Sequence, residues 1–84
     1  MVYINIPYVP ENDRIDRART ANELKLLNIG EAAKHDAFEA IYNKRPRGVD
    51  LDKNQAALLQ EALSRLGVPY RPSNESEYKY DPRS

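Results

Sequence analysis

The sequence predicts a small α+β domain in the order β-α-α-β-α-β, a short, mostly antiparallel three-stranded sheet packed on one side by three helices. Three observations predict it. Val2-Tyr3-Ile4-Asn5-Ile6 alternates apolar and polar with the period of a half-buried strand. The stretch from Asp52 to Gly67 carries both ends of a helix and an apolar stripe between them. Prolines and glycines cut the remainder into segments of one element each.

The first strand, over 2–6, places Val2, Ile4 and Ile6 on one face and Tyr3 and Asn5 on the other. Pro7 and Pro10 end it, because proline has no N–H for a ladder. Between residues 11 and 29 the pattern favours two short helices, or a kinked one, over a straight rod. Glu11-Asn12-Asp13 suits a helix start, with acidic groups at the positive end of the dipole. Ile15, Ala18, Leu26 and Ile29 then share a face, but Leu24 falls opposite Ile15. A restart at Thr20, where Thr20-Ala21-Asn22-Glu23 has the form of a capping box, puts Leu24 and Leu27 together. Gly30 is expected as a left-handed stop after Asn28-Ile29.

A helix over about 31–43 follows, with Ala33, Ala37 and Ile41 inward, Phe38 beside them, and Glu31, Lys34 and Glu39 toward solvent. Lys44-Arg45-Pro46-Arg47-Gly48 is a loop, and Gly48-Val49-Asp50-Leu51 a short strand. Asp52 caps the next helix, over 53–66, with Gln55 at N3 and Leu51 stapled to Ala56. Ala56, Leu59, Leu63 and Leu66 line its inner face, and Gly67 and Pro69 stop it. Val68 to Pro72 is read as an edge strand blunted by its prolines. Residues 1–72 are thus one domain, and the polar segment 73–84, with Tyr78 and Tyr80, is expected to be a flexible tail unless Glu77–Tyr80 pairs with an open edge.

Composition narrows function mainly by exclusion. A chain of 84 residues buries only about two-thirds of its surface on folding, so one modest core is all it supports. With one histidine and no cysteine, the usual zinc sites and thiol chemistry are not expected, and no cofactor or metal is called for. Thirteen basic and thirteen acidic residues cancel, giving no global field toward nucleic acid or anionic membrane. No apolar run is long enough to span a bilayer, and Met1 to Pro7 has no secretory leader pattern, so a soluble, cytoplasmic protein is expected.

Catalysis is not expected either. His35 sits on a charged stretch where Asp36 faces away and Glu39 is an ordinary surface neighbour. Asp50 and Asp52 alone make a bare magnesium site, with Asp52 already used as a cap. The three glycines are isolated, so there is no phosphate-cradling loop. Two surfaces stand out instead. Lys44, Arg45 and Arg47, with Tyr42 nearby for stacking, concentrate positive charge, although a solvated helix end has the same composition. Tyrosine makes up six of the seven aromatics, and Tyr3 and Tyr70 are read as one patch on the open sheet face, or as covers for strand edges.

The element order, with Leu27-Asn28-Ile29-Gly30-Glu31-Ala32-Ala33-Lys34 leading into a helix and the capped stretch Asp52 to Val68 ending in Leu66-Gly67 before the last strand, resembles the C-terminal domain of the bacterial ribosomal stalk protein. The same fold serves the adaptor that delivers N-degron substrates to the Clp protease. The resemblance spans about two-thirds of the chain and implies a protein-binding module. It carries over no functional residue, since the lysine-rich factor-binding surface of the stalk domain is mostly absent here. The expectation is therefore an adaptor or inhibitor, of the kind phages and mobile elements encode, that binds another protein. The alternatives are a nucleic-acid accessory protein using the basic loop and a homodimer whose interface completes the core.

Overall fold

The structure, a computed structural model, describes residues 2–42 and 45–77. Three strands, β1 (Val2–Ile6), β2 (Arg47–Leu51) and β3 (Arg71–Ser73), form an antiparallel sheet in the order β2-β1-β3. The helices are α1 (Arg17–Lys25), α2 (Glu31–Tyr42) and α3 (Lys53–Leu66), preceded by a 3-10 helix at Pro10–Arg14. The α+β class and the element order are those the sequence predicts.

β1 is the central strand. Tyr3 lies opposite Asp50 on one side and Ser73 on the other, and Asn5 opposite Gly48 and Arg71. Its alternation sends Ile4 and Ile6 into the core, where Val49 and Leu51 of β2 join them. α2 and α3 lie on this inner face and α1 packs across both. Ala33, Ala37, Ala40 and Ile41 of α2 meet Ala56, Leu59, Leu63 and Leu66 of α3 there. The small alanines let α2 sit close to the strands, while leucine supplies most of the volume on α3.

α3 forms where its local chemistry places it. The Asp52 side chain accepts from the Gln55 amide at 2.8 Å. At the other end Gly67 takes a left-handed conformation, φ 79°. The Gly67 amide then reaches the Ser64 carbonyl and the Val68 amide the Leu63 carbonyl, the paired bonds of a Schellman stop.

The region before α2 departs from the sequence expectation in three ways. Glu11-Asn12-Asp13 forms the 3-10 helix, seeded by Pro10 at its first turn, and not an α-helix start. The N-cap of α1 is Asp16, not Thr20: its carboxylate accepts from the amides of Ala18 and Arg19 at 2.9 and 3.4 Å. Thr20 lies one turn inside, fully buried, its hydroxyl bonded to the Asp16 carbonyl and the Tyr42 hydroxyl. With the helix phased from Asp16, Leu24 is buried, Leu27 packs against the core from its edge, and Leu26 is 84% exposed. Gly30 has no left-handed φ. α1 has already closed through Leu26, whose amide reaches the Asn22 carbonyl, so Gly30 stands before α2 and its carbonyl accepts from Lys34.

The last strand also starts later than expected, at Arg71, because Val68 is spent on the α3 stop and Pro69 cannot donate. Residues 74–77 then turn back over the outer face of the sheet. The buried Asn5 amide donates to the Glu75 carbonyl at 3.2 Å, and its oxygen accepts from the Glu77 amide at 2.9 Å. Asn5, read from its strand position as facing outward, is therefore fully buried beneath this strap. Gly48, its neighbour on β2, is obligatory here: a Cβ would overlap the Ser76 side chain and lie 2.7 Å from Asn5 Oδ1. Tyr78, Tyr80 and the pairing considered for Glu77–Tyr80 lie beyond Glu77, outside the described residues.

Candidate functional site

Of the residues singled out around the basic loop, the described ones Tyr42, Arg45 and Arg47 do not share one exposed surface. Lys44 lies outside the described residues. Arg45 is exposed, but the Arg47 side chain is only 13% exposed and its guanidinium meets the Glu39 carboxylate at 3.2 Å. Tyr42 is turned inward, where its hydroxyl donates to the Ile15 carbonyl at 2.6 Å. The ring helps to fix the 3-10 helix against the end of α2. As placed, the loop offers Arg45 outward and spends Arg47 and Tyr42 on the fold.

Tyr3 and Tyr70 sit in different surroundings. Tyr3 is half-buried on the outer face, between Asp50 and Ser73. Tyr70 packs against the core, with its hydroxyl 3.2 Å from Ser64 Oγ of α3. It also lines a small cleft of about 260 Å³ with Asn5, Pro7, Pro69, Arg71 and Glu77.

Sequence reasoning missed a groove between α1 and α2. It has a volume of about 600 Å³, with Ala21, Leu24 and Phe38 as its apolar lining and Lys25, Glu31, Lys34 and His35 around them. Phasing α1 from Asp16 explains it: Arg17, Ala21, Leu24 and Lys25 fall on the side facing α2. On α2, Glu31, Lys34, His35 and Phe38 repeat at the same three- and four-residue spacing. At one end the Arg17 guanidinium stands over both the Phe38 and Tyr42 rings, 5.6 and 5.2 Å from their centres. At the other, the Lys34 amine donates to the Lys25 carbonyl at 3.0 Å, answering an unpaired carbonyl at the end of α1, and lies 3.4 Å from Glu31. Both walls are thus fixed by contacts between the helices.

The remaining charged groups are structural or solvated. His35 is 69% exposed, 3.8 Å from the Glu39 carboxylate. Arg65 on α3 reaches back to Glu23 of α1 at 3.0 Å and to Glu61 at 3.3 Å. Hydrogen bonding to Glu23 holds its guanidinium above the ordinary arginine value. Asp50 is exposed on β2 and Asp52 caps α3. Among the described residues, no three His, Cys, Asp or Glu side chains are gathered as metal ligands. Nor is any helix among them long and apolar enough to cross a membrane.

Fold and groove together define a class, a small α+β domain with a furrow on its helical side, apolar within and edged by charged groups. Comparison with protein-family models, curated proteins and solved structures returns no match to this chain.

Proposed function

We propose that this protein is a small protein-binding module, an adaptor or inhibitor, that holds its partner in the groove between α1 and α2. The observation that carries the reading is the groove itself: an apolar lining with charged groups at its edges, between helices joined by contacts at both of its ends. A fixed receptor loses little conformational entropy on binding, which favours affinity from a small interface. Phe38 and the exposed Ala21 provide the apolar contact, while Lys25 and Arg17 bias the partner toward an acidic sequence.

A photo-crosslinking residue placed at exposed Ala21 tests this in extract of the producing cells. The expected result is a discrete protein adduct that disappears with Lys25→Glu, and smeared or absent adducts at position 21 count against it. The nucleic-acid reading ranks lower, because Arg47 and Tyr42 would have to leave Glu39 and Ile15 to reach a phosphate or base. Its signature would be an affinity that falls steeply with salt and a slope reduced by neutralising Arg45.

A further inference from the structure

Asn5 is the one fully buried polar side chain of β1, and both halves of its amide are spent on the backbone of a single short segment. It donates to the carbonyl of one residue and accepts from the amide two residues on. That pairing reads main chain and not sequence, so it would hold any segment following the same path. Two neighbours add selectivity. Gly48 leaves room for the Ser76 side chain where any Cβ would intrude. Arg71 meets the Glu77 carboxylate at 2.6 Å.

We infer that the row Gly48–Asn5–Arg71 on the outer face of the sheet is a peptide-binding site. It is occupied in cis by Glu75–Glu77 and able to take a short segment of another protein that follows the same bent path and carries a small residue followed by an acidic one. The chemistry of the occupant fixes the class of ligand: backbone at Asn5, a small side chain over Gly48, a carboxylate at Arg71. The cis hold is weak in kind. Residues 74–77 form no helix or strand and are exposed, and they are tied by two amide bonds, an open ion pair and the turn bond from the Glu75 amide to Ser73 Oγ. Their advantage is tethering, which acts as a local concentration in the millimolar range. A ligand in trans therefore binds when that tethered competitor is weakened. This site is on the opposite side of the sheet from the helical groove and stands independently of it.

The test uses the full chain carrying Ser76→Lys and Glu77→Lys, which crowds Gly48 and repels Arg71. The probe is a fluorescein-labelled, capped peptide Ser-Asn-Glu-Ser-Glu, the sequence of residues 73–77. Anisotropy should show it binding the variant at least tenfold more tightly than wild type. Binding should be lost when Gly48→Ala is added, and weakened at least tenfold when the peptide's serine before the last glutamate becomes valine. The Asn5 side-chain amide resonances should move in the variant and return toward their wild-type positions with peptide. Glu77→Gln, which removes only the ion pair, should give a smaller gain in the same direction and serves if the double variant unfolds. Equal affinity for wild type and variant, indifference to Gly48→Ala, or Asn5 resonances that never leave their wild-type positions would overturn the inference.

Discussion

Replacing Gly48 by alanine should destabilise the protein, although the same change in a strand normally does the reverse. Alanine in a strand interior gains about 0.5–1 kcal/mol over glycine through the lower entropy of the unfolded chain. Here the new methyl meets the Ser76 side chain and stands 2.7 Å from Asn5 Oδ1, so the strap must lift. Lifting it gives up two hydrogen bonds at Asn5, each contributing about 1 kcal/mol, and opens the amide to water. The Arg71–Glu77 pair is exposed and adds about 0–1 kcal/mol. Set against the backbone gain, the net loss is about 1–2 kcal/mol. For a domain of this size each kcal/mol moves the melting temperature by about 4–8 °C. Urea unfolding followed by circular dichroism measures the loss, and the double variant with Ser76→Gly locates its cause. Removing the Ser76 side chain should recover about half of it. A Gly48→Ala protein as stable as wild type or more so would mean that the strap does not cross β2, and the reasoning would be wrong.

Tyr42→Phe should cost about 1–2 kcal/mol in thermal melts, since it strips the donor from the Ile15 carbonyl and a partner from buried Thr20. Leu24→Ala should cost about 2–5 kcal/mol while Leu26→Gln stays within about 0.5 kcal/mol, and equal effects in urea titrations would refute the phase of α1. Asn12 is buried with neither side-chain amide atom hydrogen-bonded, so the near-isosteric Asn12→Leu should be neutral or stabilising by about 1 kcal/mol. A clear loss of stability in that variant would assign the amide a partner. Asp16→Ala should cost about 1 kcal/mol in the same urea titrations, whereas a cap at Thr20 would leave that change within about 0.5 kcal/mol.

What could be read in advance followed how local the deciding chemistry is. α3 is defined by Asp52, its four inward residues and Gly67, all within the helix or touching it, and its bounds come out as expected. The start of α1 could not be decided that way, because Asp16 and Thr20 both have capping chemistry. What separates them is the Tyr42 hydroxyl, which takes Thr20 into the interior from 22 residues away. Once the start was misplaced, the face bearing Arg17, Ala21 and Leu24 could not be aligned with α2, and the groove stayed hidden. Asn5 shows the same limit: alternation assigns it correctly to the outer face, but its cover comes from residues 75 and 77. Composition likewise counts the charges of the basic loop without showing that Glu39 answers Arg47.

The central place of β1 governs how the chain must be assembled. Residue 3 finds its two neighbours at residues 50 and 73, so neither side of the strand can be paired by a hairpin. Each closure spans a long loop, and such contacts carry the entropic cost that slows folding relative to helical bundles. During synthesis Ile4 and Ile6 emerge early and wait, unpaired, for about forty residues before β2 is available, an interval in which an apolar strand is open to aggregation. Helix α2 can form within that interval and offers those isoleucines part of a surface before any sheet exists. Folding rate, and recovery of soluble protein, should therefore respond more to changes in α2 than to changes in the strands it precedes.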